Sequence, residues 1–284
     1  MKSIVLIVAL LSLISCSNQG EKKQEIKNNG VDINYTISGT GEKTLFFVHG
    51  WCIDQNYWNS QVSFFNKNYK VVTVDLPGHG ESGKNRDSWK VSDYASDVVK
   101  VIDDLQLKHV ILVGHSMGGD IVLEAALARP DVVDAIIGVD NFKDVGVQPD
   151  EQTRQAIGQF FDMLEADYSN TAASYANEYL FGSETDSLTK ARVIQDYKNA
   201  DSKIATVTLR ELFEYAPNEL ERLSSLQRPF VLVNSDLPPT DTAVFKNNNI
   251  DYRIFYINGT GHFPMIEKPN DFNEAMKKAL DDLK

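Results

Sequence analysis

The sequence predicts an α/β protein, a mostly parallel sheet flanked by helices and interrupted by one helical insertion. Three observations lead there. From residue 31 onward, short β-branched runs alternate with longer stretches of helical period, the pattern of strands joined by helical crossovers. Four of the strand candidates are near-continuous apolar runs, LFFV at 45–48, VVTV at 71–74, VILV at 110–113 and FVLV at 230–233, as a sheet buried on both faces requires. Between about residue 142 and residue 226 the strand rhythm stops and apolar residues recur only at helical spacing. With 284 residues, 42% of them hydrophobic, the chain is long and apolar enough to bury a large core.

The first sixteen residues, MKSIVLIVALLSLISC, carry one basic residue, Lys2, and an eleven-residue, mostly apolar stretch from Ile4 to Ile14. That stretch is too short to span a bilayer and reads as a secretory signal. Leu13-Ile14-Ser15-Cys16 resembles the bacterial lipobox, which implies removal of residues 1–15, a lipid on Cys16, and an exported protein anchored to a bacterial membrane. Ser17–Asn29 has a single apolar residue, Ile26, so residues 16–29 are expected to form a flexible tether.

The strand candidates are Val31–Ser38, Thr44–Val48, Lys70–Val74, His109–Val113, Val133–Val139, Pro229–Val233 and Tyr252–Ile257. Tyr94/Val98/Ile102/Leu105 and Phe272/Met276/Ala279/Leu283 mark helices that lay one face on the sheet. Ile157/Phe160/Phe161/Leu164, Ala172/Tyr175/Ala176/Tyr179 and Leu209/Leu212/Phe213 mark helices of the insertion. The expected division is therefore a core of residues 30–141 and 227–284 with a helical cap at 142–226.

Charge and cysteine content narrow the function. The chain has 28 Lys plus Arg against 40 Asp plus Glu, a formal charge of −12, which repels phosphate backbones; no nucleic-acid partner is expected. Cys16 and Cys52 allow at most one internal disulfide, and none if Cys16 carries lipid. No His, Cys and carboxylate grouping has metal-ligand spacing, and no dinucleotide or P-loop fingerprint occurs, so no cofactor or metal is expected.

The sharpest motif is Gly114-His115-Ser116-Met117-Gly118-Gly119, placed between the strand HVILV and an amphipathic helix. A nucleophile elbow needs this context: glycines two before and two after the serine permit a tight turn, which presents the hydroxyl at a helix N-terminus. A serine needs a base within hydrogen-bond reach, and histidine suits that task. Of five histidines, His262 in Gly259-Thr260-Gly261-His262-Phe263-Pro264 follows the last strand. Its loop lies at the C-terminal sheet edge, where open parallel sheets bind ligands. In Val48-His49-Gly50-Trp51-Cys52 the backbone N–H of Trp51, with that of Met117, is placed to form an oxyanion hole, while His49 holds the loop. His79 has a structural role.

The ordered series His49-Gly50, Asp75-Leu76-Pro77-Gly78-His79-Gly80-Glu81-Ser82, Gly114-His115-Ser116-Met117-Gly118 and Gly261-His262-Phe263 resembles the α/β-hydrolase superfamily from about residue 31 to the C-terminus. The resemblance implies an eight-stranded, mostly parallel sheet, a cap inserted after the sixth strand, and the chain order nucleophile, acid, histidine. A serine at position 116 disfavours the branches that use aspartate as nucleophile. The acid departs from the common pattern. Most relatives carry it after the seventh strand, in a slot that here holds Pro238; Asp236 serves if the loop is shorter. Asp140, 24 residues beyond Ser116, matches an acid position after the sixth strand and is preferred over Asp236.

The expected function is a serine hydrolase acting through an acyl-enzyme on a small to medium, largely apolar carboxylic ester, in a cleft between cap aromatics and Trp51, Tyr57 and Trp58. The alternatives on the same scaffold are C–C bond hydrolysis, peptidase or perhydrolase chemistry, or a ligand-binding receptor with little turnover.

Overall fold

The computed structural model describes residues 22–283. The expected signal at 1–15, the expected lipid site Cys16 and residues 17–21 lie outside them. Eight strands form one sheet: β1 (Lys22–Asn28), β2 (Val31–Ser38), β3 (Thr44–Val48), β4 (Lys70–Val74), β5 (Val110–His115), β6 (Val133–Val139), β7 (Phe230–Ser235) and β8 (Tyr252–Ile257). Their spatial order is β1-β2-β4-β3-β5-β6-β7-β8. β1 and β2 pair antiparallel, as do β2 and β4, and all other pairs are parallel. The central strands β3 and β5 are buried throughout, which is why they read as unbroken apolar runs.

Within the expected tether at 16–29, β1 corrects residues 22–28. KKQEIKN is exposed along most of its length, as an edge strand guarded by charge should be, and so it carries no hydrophobic alternation. Its pairing comes from the turn: Asn29 (φ 46°) and Gly30 (φ 85°) both adopt left-handed conformations between the partners Asn28 and Val31, the two-residue hairpin that Asn-Gly favours. Side chains fix the strand further, with Asn28 Nδ2 donating to Asp97 Oδ1 (2.8 Å) and Tyr35 Oη to Gln24 Oε1 (2.9 Å).

The helices are α1 (Asn59–Phe65), α2 (Val91–Asp104), α3 (Met117–Ala128), α4 (Glu151–Ala166), α5 (Tyr168–Tyr179), α6 (Ser187–Asn199), α7 (Ser202–Tyr215), α8 (Glu219–Ser225), α9 (Ala243–Asn247), α10 (Pro264–Glu267) and α11 (Pro269–Asp281). α4 to α8 fill the connection between β6 and β7. Four of them start on an aspartate whose carboxylate accepts a backbone N–H of the first turn: Asp150, Asp167, Asp186 and Asp201. These caps satisfy otherwise orphaned amides and place negative charge at the positive helix end, which accounts for part of the acidic composition. No helix among the described residues is long and apolar enough to cross a membrane.

Candidate active site

The elbow is built where β5 runs directly into α3. Ser116 has φ 51° and ψ −124°, a conformation that an L-residue holds only when its surroundings enforce it. The glycines are the enforcement. A Cβ on Gly114 would fall 2.1 Å from the Gly118 carbonyl oxygen, and one on Gly118 would fall 2.5 Å from that of Val48. The turn is then tied down: Ser116 N–H donates to Val139 O (3.0 Å), while Ser116 O accepts from Gly119 N–H (2.7 Å) and Asn141 Nδ2 (2.7 Å). Met117 begins α3, so its amide is one of those for which a helix supplies no acceptor.

His262 is held at both ends of its own peptide unit. Its N–H donates to Leu180 O in the cap (2.8 Å), and its carbonyl accepts from His115 Nε2–H (2.7 Å), the residue beside Ser116. The two imidazole centroids are 4.8 Å apart. Glu267 shapes the loop by accepting from Gly261 N–H (3.0 Å) and Phe263 N–H (3.0 Å), and from the Thr185 hydroxyl of the cap.

Asp140 meets the histidine. Its Oδ2 accepts from His262 Nδ1–H at 2.6 Å, and the Asp140 side chain is only 3% exposed. Its Oδ1 accepts from Ser235 N–H (2.9 Å), the Ser235 hydroxyl (2.7 Å) and Lys143 Nζ (2.8 Å). Burial alone would raise its pKa, but the hydrogen bonds and electrostatic attraction of His262 and Lys143 overcome that and hold the carboxyl well below the usual range. Asp236, the alternative acid, is not at the histidine: its Oδ1 caps Gly259 N–H at 2.8 Å. The end of the seventh strand contributes Ser235 as a double donor to Asp140, so one strand holds the carboxylate that its neighbour bears.

The expected oxyanion loop lies against the elbow. A Cβ on Gly50 would come within 3.1 Å of Ser116 Cβ, so only a glycine before Trp51 lets this loop approach the expected nucleophile so closely. Trp51 is buried, its Nε1–H donates to Ala205 O of α7 (2.9 Å), and its ring meets Tyr197 of α6 edge-on. His49 is a structural imidazole: Nδ1–H donates to Gly50 O (2.8 Å) and Nε2 accepts from Leu76 N–H (3.0 Å). Burial depresses its pKa to about 4. His79, bonded to Pro77 O, and His115 are likewise depressed to about 3, first by burial and then by a neighbouring imidazole. All three are neutral at neutral pH. Asp75, buried, accepts from Gln55 N–H (2.9 Å) and Glu81 N–H (3.0 Å) and so organises the loop bearing His79.

A family model described as the alpha/beta hydrolase fold matches residues 43–236, more than half of the chain. The chain belongs to the α/β-hydrolase family. Among this hydrolase's relatives is the dihydrolipoyllysine-residue acetyltransferase component of an acetoin cleaving system from Cupriavidus necator, 24% identical over 89% of this chain and 67% of that protein. A karrikin insensitive 2 receptor from Petunia hybrida is 23% identical over 84% of this chain and 91% of its own. Among solved structures, Est816, titled an N-acyl homoserine lactone degrading enzyme, superposes with a TM-score of 0.76 at 23% identity, covering 90% of this chain and 99% of that one. At such identities the likeness shows the fold of the hydrolase and leaves its substrate to the site.

Several site residues carry no sequence motif. Asn141, Lys143, Ser235 and Glu267 all position the residues named above, yet each acts through contacts across at least one loop, and none sits at a spacing that marks it. Cys52 is a buried free thiol 3.1 Å from Tyr168 Oη, and burial raises its pKa above the ordinary thiol range.

Proposed function

We propose that this hydrolase cleaves a small to medium, largely apolar carboxylic ester through an acyl-enzyme on Ser116. The observation that carries the reading is the Asp140–His262 hydrogen bond of 2.6 Å beside a serine held at φ 51°. In the reaction, His262 Nε2 takes the hydroxyl proton as Ser116 Oγ bonds to the carbonyl carbon, and Asp140 steadies the imidazolium. The carbonyl oxygen, now negative, is met by the Trp51 and Met117 amides. Collapse expels the alcohol, which receives the proton from His262. Water, deprotonated by the same nitrogen, then releases the acid and regenerates the serine hydroxyl.

The apolar character of the substrate is inferred from the connected aromatic group of Trp51, Tyr175, Tyr197, Phe181 and Phe263, whose members Trp51 and Phe263 adjoin the proposed oxyanion loop and His262. We further propose export and lipid anchoring through Cys16. The test of the catalytic reading is a fluorophosphonate probe with mass-spectrometric site mapping, followed by a panel of p-nitrophenyl esters of increasing chain length. Covalent labelling of Ser116, lost in Ser116→Ala, is expected, with turnover highest for short to medium chains. An intact protein that takes up no label refutes the enzyme reading and leaves ligand binding without turnover.

A further inference from the structure

Lys143 touches the carboxylate that holds the proposed base. Its Nζ lies 2.8 Å from Asp140 Oδ1, 2.7 Å from Ser235 Oγ and 3.3 Å from Leu237 O, with the side chain 13% exposed. The two oxygens of Asp140 are thus divided: among the described residues Oδ2 accepts from His262, and Oδ1 is shared by a lysine ammonium and both donors of Ser235. Lys143 follows Phe142, itself at φ 54°, so the tight turn leaving β6 folds the chain back and lays the ammonium on the residue three positions earlier.

We propose that Lys143 is a positioning residue that acts through Asp140, fixing the carboxylate that holds His262 and opposing the imidazolium form of that histidine. The inference rests on the proposed catalytic reading for its consequence, though not for its physics. Protonating His262 places a second positive charge on a carboxylate that already faces one. Lys143 therefore opposes the imidazolium while its hydrogen bond fixes the rotamer of the carboxylate. Other titratable groups facing this pair act differently. His115, from the end of β5, is neutral; Asp236, after β7, is committed to Gly259 N–H, and Glu267, from α10, to Gly261 and Phe263 N–H. Lys143 is thus the cation laid directly on the Asp140–His262 pair.

A structural lysine and a tuning lysine differ in what its removal does. A purely structural role predicts a lower melting temperature and an unchanged titration of His262. A unit charge one carboxylate away, at the intermediate dielectric of a partly buried site, is worth on the order of one pH unit. The experiment is an NMR titration of the His262 Cε1–H resonance in the full chain, for the unsubstituted protein, Lys143→Met, Lys143→Gln and Lys143→Arg. The acidic limb of kcat/KM on p-nitrophenyl acetate is measured beside it. The expected result is an upward shift of the His262 midpoint by about one pH unit in Lys143→Met and Lys143→Gln, with Lys143→Arg close to the parent, and a parallel shift of the kinetic limb. A midpoint unchanged in whichever neutral variant folds overturns the proposal. The titration needs no turnover: a chain that labels with no fluorophosphonate but shows the shift refutes the catalytic reading while upholding the coupling.

Discussion

Replacing Asp140 with Asn tests the site most severely, because the structure dictates how the amide must sit. Position Oδ1 receives three donors, Ser235 N–H, the Ser235 hydroxyl and Lys143 Nζ. An amide NH2 cannot face three donors, so the Asn oxygen takes that place and the NH2 turns to His262. His262 Nδ1 must then accept, which moves its proton to Nε2, the nitrogen that the proposed mechanism needs free to receive the proton of Ser116. The base is present, correctly placed, and in the wrong tautomer. Such a change costs about four orders of magnitude in kcat, equivalent to roughly 5.5 kcal/mol of transition-state stabilisation. Asp236→Asn is the matched control: an Asn oxygen still accepts from Gly259 N–H, and activity within about threefold of the parent is expected. Both variants are assayed by p-nitrophenyl acetate hydrolysis and by the rate of fluorophosphonate labelling, with thermal melts to show that each is folded. An Asp140→Asn protein that retains more than about a tenth of the parent rate, or an Asp236→Asn protein that loses as much, refutes the assignment of the acid.

Two further predictions concern pH and stability. His49, His79 and His115 are held neutral in the fold with pKa values pushed down to about 4, 3 and 3, so below pH 6.5 the unfolded chain binds more protons and stability falls as pH drops toward those values. At pH 5 each buried imidazole costs about 2 kcal/mol relative to pH 7.5; urea titrations at the two pH values check this, and equal unfolding free energies would be inconsistent with it. The opposite sign operates where α8 meets α3. Glu219, pushed up to about 7 by burial, then by Asp144, faces the buried Asp120, itself raised, so between pH 4.5 and 7 the fold retains a proton that the unfolded chain gives up, and this pair loses stability as pH rises. Glu219→Gln is expected to stabilise the protein above pH 7 by up to about 3 kcal/mol and to confer no such gain below pH 4.5, read from melting temperatures at pH 5 and pH 8.

What the sequence disclosed follows the range over which each interaction acts. Runs such as VILV report burial on both faces, and the glycines at 114 and 118 report a turn whose clashes lie within four residues. Both are local, and both are readable. The aspartates that cap α4 to α7 are local as well. Asp140 was preferred from its place after the sixth strand, but its work depends on Ser235 and Lys143, which reach it across a strand pairing and a tight turn. β1 hides in the sequence for a different reason: an exposed edge strand needs no apolar face, so KKQEIKN resembles linker in composition. The signal was in the connection, where Asn29-Gly30 gives two successive left-handed residues.

The cap and the site share their fastenings. Trp51 Nε1–H on Ala205 O, His262 N–H on Leu180 O, the Thr185 hydroxyl on Glu267 and Tyr168 Oη at Cys52 Sγ each join a cap helix or loop to a segment that carries an oxyanion donor or the histidine. Swinging the whole cap away would break all four while exposing the aromatic group around Trp51. At about 1 kcal/mol net for each hydrogen bond, before the apolar term, that state is populated at roughly one part in a thousand or less. On the proposed reading, access to Ser116 is therefore expected through local motion of side chains or single loops rather than through loss of the whole cap. The same ties mean that a cap substitution which shifts the carbonyl of Ala205 or Leu180 displaces Trp51 or His262 directly, without touching the sheet that supports them.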